Sequence, residues 1–409
     1  MPTPSPAVSL HHRTYAVPRR PVVVVCADGC DPAYIERGLN DGILPNLQTF
    51  SDTGFATTAD AVVPTFTNPN NVSIVTGAPQ SVHGISGNYF LDPLTNHAVM
   101  LNDPAYVRGD TLPAVLSHAG CKVAVITAKD KLRRMLGHRL RNGVCFSAER
   151  AAGCTLEDNG ISHVPALVGR PQPAVYSADV SLFVLDAGLR LLERERPDFL
   201  YLSLSDYVQH KYAPGQPQAN AFYHRLDARL GEFVERGALL ALTADHGMHF
   251  KPRVIFLQEI LDSHFGPATS RVICPITDPY VVHHGALGSF VRVYCPALAP
   301  RSVVDVIQGL DGIAAVYERE QACARFGLPP DREGDLVVIG DRDTALGTSP
   351  AEHDLSQLGN VPLRSHGGLS EQRVPFVVSE PVADTYAGRT CIRNFDILDY
   401  ALNGTRSGG

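Results

Sequence analysis

Long apolar runs are missing from this chain. The most continuous, Val22 to Ala27, is far shorter than the roughly 20 residues that cross a bilayer, so no membrane span is expected. The first twenty residues are rich in proline and polar side chains and lack the apolar stretch of a secretory signal. A basic surplus is missing too. Lys and Arg number 35 against 42 Asp and Glu, a formal net charge of -7, which argues against a nucleic-acid binder. Cysteine is present without evident pairs: nine residues, at 26, 30, 121, 145, 154, 274, 295, 323 and 391, odd in number and dispersed. That usage reads as reduced thiols in a cytoplasmic protein. Cys26 and Cys30 have the spacing of half a zinc knuckle, but no second close pair completes it, and they read better as neighbours of a buried strand. There is no internal repeat, and no low-complexity tract beyond the proline-rich start and a Gly/Ser tail.

What is present is an ordinary globular balance, 44% hydrophobic and 19% charged over 409 residues. Length suggests roughly two to three domain-sized units, or one large enzyme core with an insertion. Val22–Ala27, Lys122–Thr127, Phe199–Leu204, Ala238–Thr243 and Val374–Val378 are nearly continuous apolar runs, as strands buried on both faces should be. Amphipathic segments lie between them. Leu182, Leu185, Leu189 and Leu192 share a helical face that must end before Pro197, and Leu226, Leu230 and Phe233 repeat the pattern up to Gly237. The fold class is therefore α/β, a mainly parallel sheet between helices. Residues 21–134, 176–254 and 361–405 are assigned to this core and residues 1–20 to an N-terminal extension. Residues 135–175 and 255–360 fit the alternation poorly and are read as one smaller α+β cap built from two insertions. The second carries strand-like runs at Phe290–Tyr294 and Leu336–Ile339 and a helix capped by Ser302.

Three aspartates follow expected strands: Asp28, Asp206 and Asp245. In open parallel sheets the functional crevice lies outside the carboxyl ends of the strands. Any one of them reads as an ordinary turn residue, but histidines accompany them. Asp206 and His210 stand four apart, on one face of a helix. His246 follows Asp245 directly, and His366 lies in the Gly-rich loop Ser365-His-Gly-Gly368, read as flexible. Carboxylate oxygens and imidazole nitrogens suit zinc or similar divalent ions. Six such ligands exceed one tetrahedral ion and divide into two sites of three. The other thirteen histidines, among them His11, His12, His283 and His284, are read as ordinary imidazoles. Thr67, in Pro64-Thr-Phe-Thr-Asn-Pro-Asn-Asn71, is expected to cap a helix whose early Pro69 is tolerated there. Beside metal ions its hydroxyl would be a nucleophile toward phosphorus.

The motifs Asp28-Gly29, Thr67-Asn68, Asp206-x-x-x-His210, Asp245-His246-Gly247 and His366-Gly367-Gly368 resemble, in chain order, those of the alkaline phosphatase superfamily. Phe66-Thr-Asn-Pro-Asn-Asn71, Ser81-Val-His-Gly-Ile-Ser-Gly-Asn88 and Thr127-Ala-Lys-Asp-Lys-Leu132 are similar to its phosphonoacetate hydrolase branch. The resemblance covers about residues 20–380 and implies an alkaline-phosphatase-like core with a di-zinc site. Asp206, His210 and His366 would hold one Zn2+ and Asp28, Asp245 and His246 the other, with Thr67 bridging toward the second as nucleophile. It further implies that Asn88 donates to a phosphonate oxygen while Lys129 and Lys131, with Arg292 beside them, bind a substrate carboxylate. Cys30-Asp-Pro-Ala-Tyr34 ends in Tyr where the sulfatase signature needs Arg, which sets that branch aside.

The implied activity is hydrolysis of the carbon–phosphorus bond of phosphonoacetate to acetate and phosphate. Chemistry favours that substrate, since the carbanion left by P–C cleavage can spread into a neighbouring carboxylate, where fixed cations stabilise it. The alternatives are a phosphodiesterase or nucleotide pyrophosphatase of the same superfamily, and a non-catalytic, metal-dependent phosphonate-binding protein. A small-molecule phosphonate is the expected partner. A homodimer is compatible with the sequence, which sets no oligomeric state.

Overall fold

The five apolar runs join two further strands in one seven-stranded sheet in the computed structural model, which describes residues 6–92 and 94–406. The first five residues of the proline-rich start and the end of the Gly/Ser tail lie outside the described residues. The strands are β1 (Val22–Cys26), β2 (Phe55–Asp60), β3 (Val123–Thr127), β4 (Val144–Ser147), β5 (Phe199–Ser203), β6 (Leu239–Thr243) and β7 (Arg373–Val378). Their order across the sheet is β2-β7-β6-β1-β5-β3-β4. The run from β6 to β4 is parallel throughout, and β7 is antiparallel to both of its neighbours. Every residue of β1, β3, β5 and β6 is buried. Successive side chains point to opposite faces, so both faces of the sheet are covered.

Helices that position the site are α1 (Thr67–Thr76), α2 (Asp179–Arg194), α3 (Tyr207–Lys211) and α4 (Pro217–Glu235). α2 ends before Pro197, and α4 is followed by Gly237 in the left-handed region at φ 82°. α2 buries more than one face. Val180, Phe183, Val184, Ala187 and Leu191 are buried along with the four leucines, because α2 packs on the sheet and also against α4. Gly188 lets them meet: a Cβ there would stand 2.9 Å from Leu202 and 3.1 Å from Phe233.

Residues 255–347 build the cap. A four-stranded antiparallel sheet, ordered Arg271–Ile273, Phe290–Tyr294, Leu336–Gly340, Ile313–Glu318, has its own apolar core around Leu257, Val291, Val303, Ile307 and Val338. Three expectations are corrected. Residues 135–175 do not contribute to the cap: Val144–Ser147 is the edge strand β4, paired with β3, and Val164 and Val168 pack in the main core. The hairpin Tyr89–Leu91 with Ala98–Met100, assigned to the core, instead packs Tyr89 and Leu91 on Ile273 and Tyr294 of the cap. The helix expected at Ser302 begins at Pro300, since a proline in the first turn forfeits no hydrogen bond. The N-terminal extension folds as a hairpin, Ala7–Leu10 with Arg13–Ala16, that buries Tyr15 in the main core. No helix among the described residues is long and apolar enough to cross a membrane.

Leu202 is fully buried in β5. Leu202→Ala is expected to lower the unfolding free energy by about 2–5 kcal/mol, read from the urea midpoint.

Candidate metal centre and its cavity

The registers of the parallel strands bring four charged residues to one line. Cys26 lies opposite both Thr243 and Ser203, and Thr127 lies opposite Ser203, so the carboxyl ends of β6, β1, β5 and β3 are level. Two or three residues beyond those ends stand Asp245, Asp28, Asp206 and Lys129, on four adjacent strands about 4.8 Å apart. Gly29, at φ 71°, turns the chain directly after Asp28, and a Cβ there would lie 3.0 Å from the Asp206 side chain. Because β7 runs antiparallel, it begins at this same end of the sheet, and the loop before it delivers His366.

The four donor residues Asp206, His210, His366 and Asp28, together with His246, form two overlapping groups. Ligand atoms of Asp206, His210 and His366 lie within 4.8 Å of one another, as do those of Asp28, Asp206 and His246. Asp206 therefore reaches both. Asp245 is close to the second, with Oδ2 3.7 Å from His246 Nε2, while it also accepts from the backbone of Gly29 and His246 and from Asn71. The His246 and His366 rings stack at 3.6 Å.

The three imidazoles are oriented alike. Nδ1 of His210, His246 and His366 stands 2.8, 2.9 and 2.7 Å from the carbonyl oxygens of Arg364, Gly247 and Thr65. A carbonyl only accepts, so each Nδ1 carries a proton and Nε2 is the nitrogen turned inward, the arrangement of metal-ligating histidines. Burial, followed by the neighbouring imidazoles, pushes His366 well below the usual histidine range, which keeps it neutral. Both carboxylate oxygens of Asp28 are buried with no hydrogen-bond partner. Burial, then Asp206 and Asp245, raises its pKa strongly, the response of a carboxylate that needs a cation beside it. Asp206 is held well below the normal range against its burial, by Lys129 and then His210. The Lys129 ammonium is 3.1 Å from Asp206, and although burial works against its charge, Asp206 and then Asp28 raise its pKa. Lone pairs of three carboxylates and three imidazoles converge here against one lysine, a donor set that fits divalent cations.

Thr67 lies beside this set, its Oγ1 3.3 Å from His246 Nε2. It is the first residue of α1 and not its cap. Phe66 holds the cap position with an extended backbone, and its ring packs edge-on against Phe290 and His366. The Thr67 hydroxyl is thus left facing the site. The His366 loop is not slack: Gly367 N donates to Thr65 Oγ1 at 2.9 Å and Gly368 N to Glu371 at 3.0 Å. Its glycines serve close approach, since a Cβ on Gly367, at φ 120°, would lie 2.6 Å from the Phe66 ring.

A cavity of about 690 Å³ opens above, lined by Asp28, Thr67, Asn88, Lys129, Lys131 and His366 among others. Asn88 accepts from Asn68 at 2.8 Å through Oδ1, which leaves its amide N–H groups as donors. Lys131 pairs with Asp278 of the cap. Arg292, expected at a substrate carboxylate, is not there. It is fully buried, and its guanidinium is spent on Glu333 at 2.6 and 2.7 Å and on Ser86 and Tyr89 carbonyls. An arginine inside a sheet must be fully paired, and this one braces the loop that presents Asn88. His284 and Asp278 line the cavity although nothing in their sequence context distinguishes them. Glu371 was equally hidden. Buried, it accepts from Lys251 at 2.8 Å and from the Gly368 backbone, lies 2.9 Å from His249, and so ties the two histidine loops together.

Comparison with known proteins gives one direction. The family described as type I phosphodiesterase / nucleotide pyrophosphatase matches residues 22–368. A crystal structure of phosphonoacetate hydrolase from Sinorhizobium meliloti 1021 in complex with phosphonoformate is 46% identical, covering 98% of this chain and 99% of that one at a TM-score of 0.94. Its complex with phosphonoacetate gives 45% and 0.93 over the same extents. A phosphonoacetate hydrolase from Penicillium oxalicum is 71% identical over 48 residues, 11% of this chain and 67% of that sequence. Human ectonucleotide pyrophosphatase/phosphodiesterase family member 1 is 27% identical over 56% of this chain. That match covers only 23% of the human protein, so this chain spans well under half of that relative's length. The murine family member 5 structure, at 16% identity and a TM-score of 0.64, shares the fold.

Burial opposes ionisation of Glu371, but His249 and then Lys251 bring its pKa down to about 2, below the unfolded value of 4.5. Its stabilisation is therefore complete above about pH 4.5 and is lost as pH falls toward 2. Glu371→Gln is expected to cost about 3–5 kcal/mol at pH 7 by leaving Lys251 unpaired. The gap to wild type in urea unfolding should narrow through that acid window.

Proposed function

The chain belongs to the type I phosphodiesterase / nucleotide pyrophosphatase family, on its phosphonoacetate hydrolase branch within the alkaline phosphatase superfamily, and we propose that it hydrolyses phosphonoacetate to acetate and phosphate. The observation that carries the reading is the meeting, in one cavity, of the Thr67 hydroxyl, a divalent-metal donor set and two lysines. Asp206, His210 and His366 would hold one zinc ion, and Asp28, Asp245 and His246 a second. Bound there, the pair would supply Lewis acidity and positive charge at the phosphonate oxygens.

The residues divide the remaining work. Asn88 N–H donates to a phosphonate oxygen and fixes the phosphorus over Thr67. The Thr67 oxygen, its proton lost, attacks phosphorus in line as the P–C bond breaks. The bonding pair enters the acetate fragment, where it spreads into the carboxylate as an enediolate. Lys129 and Lys131 stabilise charge that grows at those oxygens only as the bond breaks, which is transition-state binding. Protonation at carbon completes acetate, and water hydrolyses the phosphothreonine to phosphate and free Thr67. The nine free cysteines support a reducing, cytoplasmic setting.

A phosphodiesterase reading keeps the metals and Thr67, and a cavity of about 690 Å³ would admit a larger ester. A lysine pair at the cavity wall has no role in it. Phosphate release from phosphonoacetate by metal-stripped protein should be absent and return with zinc, while 4-nitrophenyl phosphate diesters turn over more slowly. A preference for the diester overturns the substrate. Thr67→Ala should lose more than about a thousandfold in kcat while retaining zinc. Turnover near that of wild type would exclude the covalent route.

A further inference from the structure

Both lysines at the cavity wall already have carboxylate partners. Lys129 lies against Asp206, inside the metal-binding set. Lys131, on the first turn of the helix Asp130–Leu136, pairs through Nζ with Oδ1 of Asp278, which comes from the cap 147 residues away. The other Asp278 oxygen accepts from the Tyr280 hydroxyl at 2.7 Å. Lys131 is 32% exposed and Asp278 14%, so the pair faces the cavity without being open surface. Glu149 also lines the cavity, but its carboxylate receives the backbone N–H of Asp130 at 2.7 Å. A ligand carboxylate that approaches Lys131 therefore meets a carboxylate already there.

We propose that Asp278 is a specificity-determining residue: an internal carboxylate that holds Lys131 until the carboxylate of the substrate takes its place. The inference rests on phosphonoacetate as substrate and Lys131 as its ligand. Exchange of one carboxylate for another is nearly neutral in the ground state, so the site binds a carboxylated phosphonate weakly at first. As the P–C bond breaks, charge on the substrate carboxylate grows while that of Asp278 stays fixed, and Lys131 increasingly favours the substrate. A phosphorus compound without a carboxylate leaves the Lys131–Asp278 pair closed. Tyr280 sets the balance, because its hydrogen bond draws negative charge away from the side of Asp278 that faces Lys131.

Two variants act in opposite directions. Asp278→Asn keeps the shape and the acceptor for Tyr280 but removes the competing charge. The KM for phosphonoacetate should fall about fivefold, and the ratio of kcat/KM for phosphonoacetate over 4-nitrophenyl phosphate should rise by the same factor. Tyr280→Phe, at a side chain 70% exposed, should raise that KM and lower the ratio without loss of folding. Equal changes for both substrates, or a higher KM in Asp278→Asn, would overturn the exchange and leave Asp278 a structural tie. Failure of wild type to cleave phosphonoacetate overturns the proposed activity instead. Exchange is then judged by malonate inhibition of ester hydrolysis, which tightens in Asp278→Asn if it operates and is unchanged if it does not.

Discussion

Three carboxylates brought to the level ends of three adjacent parallel strands repel one another in a buried place, and the surrounding structure answers that repulsion. Asp245, Asp28 and Asp206 are each nearly inaccessible to water. Such a cluster stays ionised only with positive charge beside it. Lys129, from the next strand, supplies one unit and holds Asp206 ionised. Asp28 feels the Lys129 charge only from a distance, and neither of its buried oxygens has a hydrogen-bond partner. The cradle is thus complete on the protein's side and short of cations, which is what a site built for divalent ions requires.

The histidines are governed by the same demand. Each of the three rings is fixed by a backbone carbonyl behind it, which turns Nε2 toward the carboxylates. Those carbonyls belong to loops that are themselves tied. Thr65 holds Gly367, Glu371 holds Gly368 and Gly247, and Arg364 reaches back to Gln209 and Met248. The ligand geometry is therefore set by hydrogen bonds one layer out, where nearly every donor meets an acceptor.

The cap contributes Asp278 and His284 to a cavity whose candidate metal ligands come from the core. Its buried Arg292–Glu333 pair braces the Ser86–Tyr89 loop from behind, so a residue expected to meet substrate instead supports the loop that carries Asn88. Its residues Asp278 and His284 line the same cavity as the candidate metal ligands.

Apolar runs between helical segments were enough to predict four of the five parallel strands, because strands buried on both faces have no polar positions to spare. The same runs located Asp28, Asp206 and Asp245, and motif spacing added His210, His246, His366 and Thr67. Local pattern had less power where pairing is remote. It missed the short edge strand Val144–Ser147, whose hydrogen bonds lie with β3. It also took the Gly-rich loop for a flexible one, because nothing local shows that Phe66 crowds Gly367. Arg292 and Asp278 were invisible as pairs, since their partners lie 41 and 147 residues away. Sequence by itself determined the three aspartates, three histidines and Thr67 of the candidate site, for residue type and position after a strand end are local properties. The tertiary structure alone decided which of them face the cavity and which are spent on one another, because charge pairing depends on distance in space.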